Sequence, residues 1–296
     1  MRRFLFNLVV LFGLVSLVAQ PIEAARVFRA GQQTFLKGVD PKVATSGCTW
    51  PSANLLLDLD ASDTAHILTT IAGSTHVSAD GDPVGQWKDA NGNGFNLAAA
   101  ADDTTRPTWH SGTYPYVTFD GTNDILFRAA QLTMFSGGSA TIVMSVRHVA
   151  GAQGTILAEG SSSANNPVYE MGRNLAADFN DLTAVIRDNG GVSNFVGTTL
   201  IYDEAFPVST DVVVVITDSG TVLTGYKDST SGQSAAGYTR GTTTLDRFAV
   251  GGRRRAASDN FAAFDLYRLR VYSGVHNSTD IAMDLTCGGL EQGRTL

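Results

Sequence analysis

Only five glutamates occur in 296 residues, against 23 aspartates, and the closest two, Glu159 and Glu170, stand eleven positions apart. Hydrolysis of a glycosidic bond with retention needs two carboxylates about 5–5.5 Å apart. No neighbouring glutamates supply them, which leaves only a pairing such as Glu170 with an aspartate. His66, His76, His110, His148 and His276 are scattered without metal-ligand spacing. No Gly-x-Ser-x-Gly elbow and no glycine-rich phosphate loop with a lysine occurs. Arg253-Arg254-Arg255 is the one basic cluster. Its guanidinium forks suit an anionic glycan or a phosphate; the plainer reading is a solvated loop offset by Asp259. The remaining chemistry lies in aromatic rings near turns. Trp109-His110 and Tyr114-Pro115-Tyr116 flank one short loop. Trp109, Tyr114 and Tyr116, with Tyr169 and Arg173, form the candidate ligand-binding set, in which rings stack on sugar faces and polar groups fix hydroxyls. The competing use of such rings is burial in a core or at a sheet edge.

Elements of a particular kind must position these groups. The chain has 31 glycines, and its basic residues are 17 arginines against four lysines. Few glutamates and lysines, with many glycines and aspartates, disfavour helices and favour turns. Short apolar runs recur between turn signals from Cys48 onward. They are Asn54 to Leu59, Tyr116 to Phe119, Thr141 to Val146, Gly154 to Ala158, Val168 to Gly172, Leu182 to Arg187, Asp211 to Thr217, Val222 to Tyr226 and Phe248 to Gly251. Thr141 to Val146 is nearly all apolar, as expected of a central strand buried on both faces. Asp188-Asn189-Gly190-Gly191 predicts a hairpin turn. Tyr267, Leu269 and Val271 are expected to face inward, with Arg268 and Arg270 on a charged outer face. One helix is predicted over Thr279 to Leu285, capped by Asn277 or Ser278. Asn277-Ser278-Thr279 is also a glycosylation sequon, meaningful in a eukaryotic secretory pathway.

Met1-Arg2-Arg3, the apolar run Phe4 to Ala19 and the small residues before Ala24-Ala25 have the three parts of a secretory signal peptide. The run is short for a membrane span of about 20 residues, so membrane contact is expected only through this segment if it stays uncleaved. Export places Cys48 and Cys287 in an oxidising compartment, where a bridge between them would join the first and last elements of the domain. The expected organisation is a signal peptide over 1–24, a linker over 25–46, one domain over 47–290 and a tail over 291–296. A net charge of −7 argues against nucleic acid as the main partner.

Four patterns occur in order: Leu57-Asp58-Leu59-Asp60-Ala61-Ser62-Asp63; Gly85-Gln86-Trp87-Lys88-Asp89 followed by Asn91-Gly92-Asn93-Gly94; Arg106-Pro107-Thr108 leading to Val117-Thr118-Phe119-Asp120-Gly121-Thr122-Asn123-Asp124; and Val250-Gly251-Gly252 followed by Phe264 to Ser273 and the predicted helix. This order resembles the concanavalin A-like lectin/glucanase superfamily, in particular its laminin-G-like domains. The resemblance implies an all-β fold, a two-sheet antiparallel jelly-roll sandwich, over residues 47–290. It implies calcium in some relatives, and Asp58, Asp60, Asp120, Asn123 and Asp124 are the residues here that could hold Ca2+; the alternative is that they bond their own turns. The glucanases of the superfamily carry a glutamate pair on one strand and the jelly-roll lyases a Gln-x-His segment, and both are missing here. The function expected is therefore a non-catalytic carbohydrate-binding or adhesive module, secreted or on a cell surface, with glycans or cell-surface polysaccharide as partners. The alternatives are a phage or virion structural protein that meets other virion or surface proteins, and a divergent polysaccharide hydrolase or lyase.

Overall fold

A computed structural model describes residues 48–100, 105–132, 138–149, 154–173, 180–191, 199–235, 238, 243–255 and 257–296. The expected signal peptide and linker lie outside these residues. The strands in chain order are β1 Leu55–Asp60, β2 Ile67–Leu68, β3 Gln86–Trp87, β4 Leu97–Ala99, β5 Thr108–His110, β6 Tyr116–Asp120, β7 Leu126–Arg128, β8 Ala140–His148, β9 Gly154–Gly160 and β10 Val168–Arg173. They continue with β11 Leu182–Arg187, β12 Thr199–Tyr202, β13 Asp211–Asp218, β14 Leu223–Lys227, β15 Gly232–Ala235, β16 Arg247–Val250, β17 Arg253–Arg254, β18 Ser258–Asp259 and β19 Ala263–Ser273. Helix α1, Ser278–Leu290, follows.

The strands form two antiparallel sheets packed as a sandwich. The first runs β15-β14-β13-β8-β19-β6-β5, with β1 also on β19; the second runs β12-β11-β10-β9-β16-β7-β4-β3-β2. β17 and β18 make a separate hairpin. Between the sheets lie Leu57, Leu59, Phe119, Met144, Val146 and Phe264 from the first, and Trp87, Leu126, Leu157, Met171 and Phe248 from the second. Each fully buried aliphatic or Phe side chain contributes about 1.5–3 kcal/mol. Phe119 and Phe264 stack at 4.7 Å. Gly251, at φ +90°, lies against Phe119, and a Cβ there would collide with the ring.

The central strand is buried on both faces, as its composition predicts. Ile142, Met144 and Val146 of β8 enter the sandwich, while Val143 joins Val213, Val215 and Tyr272 beneath Ile281 and Leu285 of α1. The helix exceeds its predicted length, running to Leu290 through Gly288 and Gly289. Glycine opposes helix by propensity. Here packing overrides it, since a Cβ on Gly288 would come within 2.7 Å of Val213 Cγ1. Asn277 is the cap, its Oδ1 accepting from the Thr279 and Asp280 amides at 2.8 and 3.1 Å. The first two residues of the expected tail are packed against the helix and sheet: Glu291 and Gln292 are buried, and Gln292 Nε2 donates to the Val146 and Val212 carbonyls.

A second departure lies in β19. Its register against β8 shifts between Leu266 and Arg268. The shift reverses the side-chain phase, so Tyr267 joins the outer face and its hydroxyl donates to Asp211 Oδ1 at 2.9 Å. The arginines beyond it do not meet water as expected. The side chains of Arg268 and Arg270 are 13% and 6% exposed, covered by Trp50.

Candidate functional site

The outer face of the first sheet carries a polar row. Thr108 on β5, Thr118 on β6, Asp265 on β19, Arg147 on β8 and Asp211 on β13 are successive cross-strand partners. Directly opposed residues in a sheet share a face, so five distant segments present one line of side chains. Thr118 Oγ1 donates to Asp265 Oδ1 at 2.6 Å. Arg147 Nε and Nη2 donate to Asp265 Oδ2 at 2.8 and 2.6 Å. Asp265 is buried, while the Arg147 side chain is 32% exposed. Burial opposes the Arg147 charge, but the hydrogen bonds and charge of Asp265 outweigh it and hold the guanidinium above its ordinary pKa.

An aromatic row runs beside the polar one. His110 stacks on Tyr116 at 4.9 Å, Tyr116 meets Tyr267 at 5.6 Å, and the Arg147 guanidinium lies 4.9 Å over the Tyr116 ring. Thr118, Arg147, His148, Val149, Ser209 and Asp265 line an open depression of about 400 Å³. His148, at the end of β8, is buried, with Nδ1 2.8 Å from the Phe206 carbonyl oxygen. Nδ1 donates there, since a carbonyl only accepts. Burial, and next the nearby Arg173 charge, lower its pKa, so the ring is neutral at pH 7. The depression thus offers hydroxyls and a guanidinium edge beside the aromatic row, with the Arg147 charge balanced by Asp265.

The candidate ligand-binding residues separate. Tyr116 lies in the aromatic row. Tyr114 is 41% exposed and covers Gly293, where a Cβ would collide with its ring. Trp109 belongs to the core: it is 5% exposed, and its Nε1 donates to the Ala61 carbonyl at 2.9 Å. Its position in β5 alternates inward between outward Thr108 and His110, so its ring has no open face for a sugar. Tyr169 is buried with its hydroxyl on Asp218 Oδ2 at 2.5 Å. Arg173 is buried at 1% exposure. Thr118, Arg147, Asp265 and Tyr267 are members that the sequence reading missed. The usable signal was their polar phase on otherwise apolar strands, but the cross-strand register that aligns them is not written in any one strand.

The candidate calcium residues also divide. Asp60 lies opposite Arg268 and Asp120 opposite Ala263 on the same edge of β19, which separates them by about 17 Å at about 3.4 Å per residue. Asp58 and Asp60 face Arg268. Asp120 Oδ1 accepts from the amides of Thr122 and Asn123 at 2.7 and 3.2 Å, and Asp124 Oδ2 accepts from the Asp120 amide at 2.9 Å. Among the described residues no three His, Cys, Asp or Glu side chains form a group that could hold a metal ion.

Desolvation, partly opposed by the Asp120 amide, raises the Asp124 carboxyl to about 6, with the Asp120 charge adding to the rise. The folded state therefore holds this proton more tightly than the unfolded chain. Asp124 lowers stability as pH rises from about 4 to about 6. Asp124→Asn is expected to flatten the fall of Tm across that window, as read by thermal melts at pH 4, 5, 6 and 7; an unchanged profile would refute the assignment.

No protein-family model matches the sequence, and no curated protein matches it. The fold is similar to Trypanosoma rangeli sialidase, at 15% identity and a TM-score of 0.53, covering 79% of this chain and 33% of that one. It is similar to the binding domain of Paraclostridial Mosquitocidal Protein 1, at 13% identity and a TM-score of 0.52, covering 79% of this chain and 52% of that one. It is also similar to the botulinum neurotoxin serotype D binding domain, at 10% identity and a TM-score of 0.50, covering 78% and 51%. The chain spans about a third of the sialidase and about half of each binding domain. At such identities the likeness shows the fold, a β-sandwich.

Proposed function

We propose that this chain is a non-catalytic carbohydrate-binding module, a laminin-G-like member of the concanavalin A-like superfamily that acts outside the cell. The observation that carries this reading is the row Thr118–Asp265–Arg147 beside Tyr116, opening into the depression. It combines neutral hydrogen-bonding groups and a balanced charge with an adjoining aromatic row, which suits the hydroxyls and apolar faces of a neutral sugar. Two of the similar structures are binding domains and a third, of the sialidase, has been solved in complex with sialic acid, which supports sugar recognition on this architecture. The Cys48–Cys287 disulfide supports an oxidising compartment. Among the described residues no helix is long and apolar enough to cross a membrane.

Catalysis fits less well. A glycosidase acid needs a carboxyl with a raised pKa beside its substrate. Asp265 is bonded by Arg147 and Thr118. Glu170, the other candidate, is enclosed by Thr155, Asn260 and Arg253. Asp259 beside it keeps a lowered pKa, because the hydrogen bonds and charges of Arg253 and Arg255 outweigh desolvation. The carboxyls pushed upward, Asp124, Asp284 and Glu291, lie in a turn and beneath or at the end of α1.

A printed panel of neutral and acidic oligosaccharides tests the proposal. Neutral glycans are expected to bind, and Tyr116→Ala to weaken them about tenfold, equivalent to about 1.4 kcal/mol. Thr118→Val, nearly isosteric, should also weaken binding by freeing Asp265 Oδ1. No binding on the panel, or release of reducing sugar from it, would overturn the reading.

A further inference from the structure

We propose that Arg247 and Arg254, gathered on Phe127 on the outer face of the second sheet, form a second site that takes an acidic polysaccharide bearing carboxylate or sulfate groups. Phe248 and Val250 of β16 point into the core, so Arg247 and Ala249 point outward. Ala249 pairs with Phe127 of β7, which puts that ring on the same face. The Arg254 guanidinium lies 4.7 Å from the Phe127 ring centre and that of Arg247 5.7 Å. Gly160 makes this possible: a Cβ there would come within 2.8 Å of the Arg254 carbonyl oxygen, so the glycine lets β17 lie down across β9.

What singles out these two arginines is the lack of a carboxylate. Their neighbours are paired: Arg253 bonds Glu170 and Asp259, and Arg255 bonds Asp259. Arg254 makes one hydrogen bond, from Nη1 to Ser258 Oγ at 2.9 Å. The Arg247 side chain has no hydrogen bond or ion pair among the described residues, and the Nε atoms of both are buried without a partner. Asp246, next in sequence, is held by the Ser162 amide and hydroxyl. Arg187 of β11 continues the row through Val168 and Gly160 to Arg247, about 14 Å away at about 4.8 Å per strand. It too lacks a carboxylate among the described residues.

Two like charges held together cost stability, and a chain of net charge −7 has aspartates to spare for them. Stacking uses the face of a guanidinium and leaves in-plane N–H groups to meet carboxylate or sulfate; with Nε buried in both and Arg254 Nη1 on Ser258, these are the terminal Nη groups of Arg247 and Nη2 of Arg254. The partner's form follows from the surroundings. A nucleic acid or a lipid surface presents a broad negative field that the acidic body repels. A single extended polyanion meets only the row, and its repeated charges match arginines spaced along a sheet.

The test uses immobilised dextran sulfate and polygalacturonate, with neutral dextran as control. The wild type is expected to bind both acidic polymers in a salt-sensitive way, while any retention on dextran is salt-insensitive and unchanged in the variants below. Arg247→Gln with Arg254→Gln should weaken binding at least tenfold with no loss of Tm, and the Lys pair, which keeps charge but loses the forks, should fall between. No retention on either polymer, or equal retention of the Gln pair, would overturn the proposal. So would binding to anionic phospholipid vesicles, lost in the Gln pair, without retention on the polymers.

Discussion

Replacing Arg268 with methionine is expected to destabilise the protein by about 3–5 kcal/mol at pH 7, the usual consequence of leaving buried charge without its partner. Arg268 holds three carboxylates: Asp58 at 2.8 Å, Asp60 at 3.1 Å and Glu291 at 2.7 Å. All are largely buried. Desolvation opposes the arginine charge, but Asp58 first, then Asp60 and Glu291, hold the pKa well above normal. Without the guanidinium, only Arg270, 3.3 Å from Asp58, remains to balance them. The carboxyls would then bind protons more tightly in the folded than in the unfolded state, so the variant gains stability as pH falls and loses it as pH rises. The wild-type arginine stays charged throughout. The gap between the two should therefore be widest at pH 7 and narrow toward pH 4.5. Urea unfolding at both values measures it; a gap that is small at pH 7, or that does not narrow, would reject the account.

Removing the Cys48–Cys287 bridge should cost about 3–5 kcal/mol. The two cysteines are 239 positions apart with Cα atoms 5.4 Å from each other. Closing a loop of that size restricts the unfolded chain by about 5 kcal/mol in the entropic account, with smaller values common. The bridge also fixes a short covering segment. Trp50 lies 5.1 and 4.8 Å over the Arg268 and Arg270 guanidiniums, and the Pro51 carbonyl accepts from Arg270 Nη1 and the Tyr272 hydroxyl at 3.3 and 3.1 Å. Loss of the bridge therefore loosens the lid of the ion network, and its effect should not add to that of Arg268→Met. Equal urea midpoints for oxidised and reduced protein would refute this, as would simple additivity in the triple variant Cys48→Ser, Cys287→Ser, Arg268→Met.

Two of the candidate ligand-binding residues, Trp109 and Tyr114, separate for a reason no local pattern carries. Trp109 and Tyr114 sit five positions apart around one loop, yet one is in the core and the other on the surface. Alternation in a three-residue strand turns Trp109 inward, and nothing local to it reveals that phase. Asp58 and Asp60 looked like turn or calcium oxygens. Their partner is an arginine 210 positions away that only β19 brings to them. In the basic triplet the expected offset by Asp259 holds for Arg253 and Arg255, while Arg254 turns instead to a ring on another strand.

The sequence alone determined the all-β character, the doubly buried central strand, a C-terminal helix capped at Asn277 or Ser278 and the scarcity of paired glutamates, because these depend on composition and short-range periodicity. Tertiary structure alone decided which polar residues share a face. Cross-strand register joins segments from β5 to β19 into the Thr118–Asp265–Arg147 row and carries Arg247 and Arg254 to Phe127, while one bulge in β19 separates the facing of Tyr267 from that of Leu269 and Val271. Register is set by the packing of the whole sandwich, since a slip of one residue would turn every side chain of a strand to the other side.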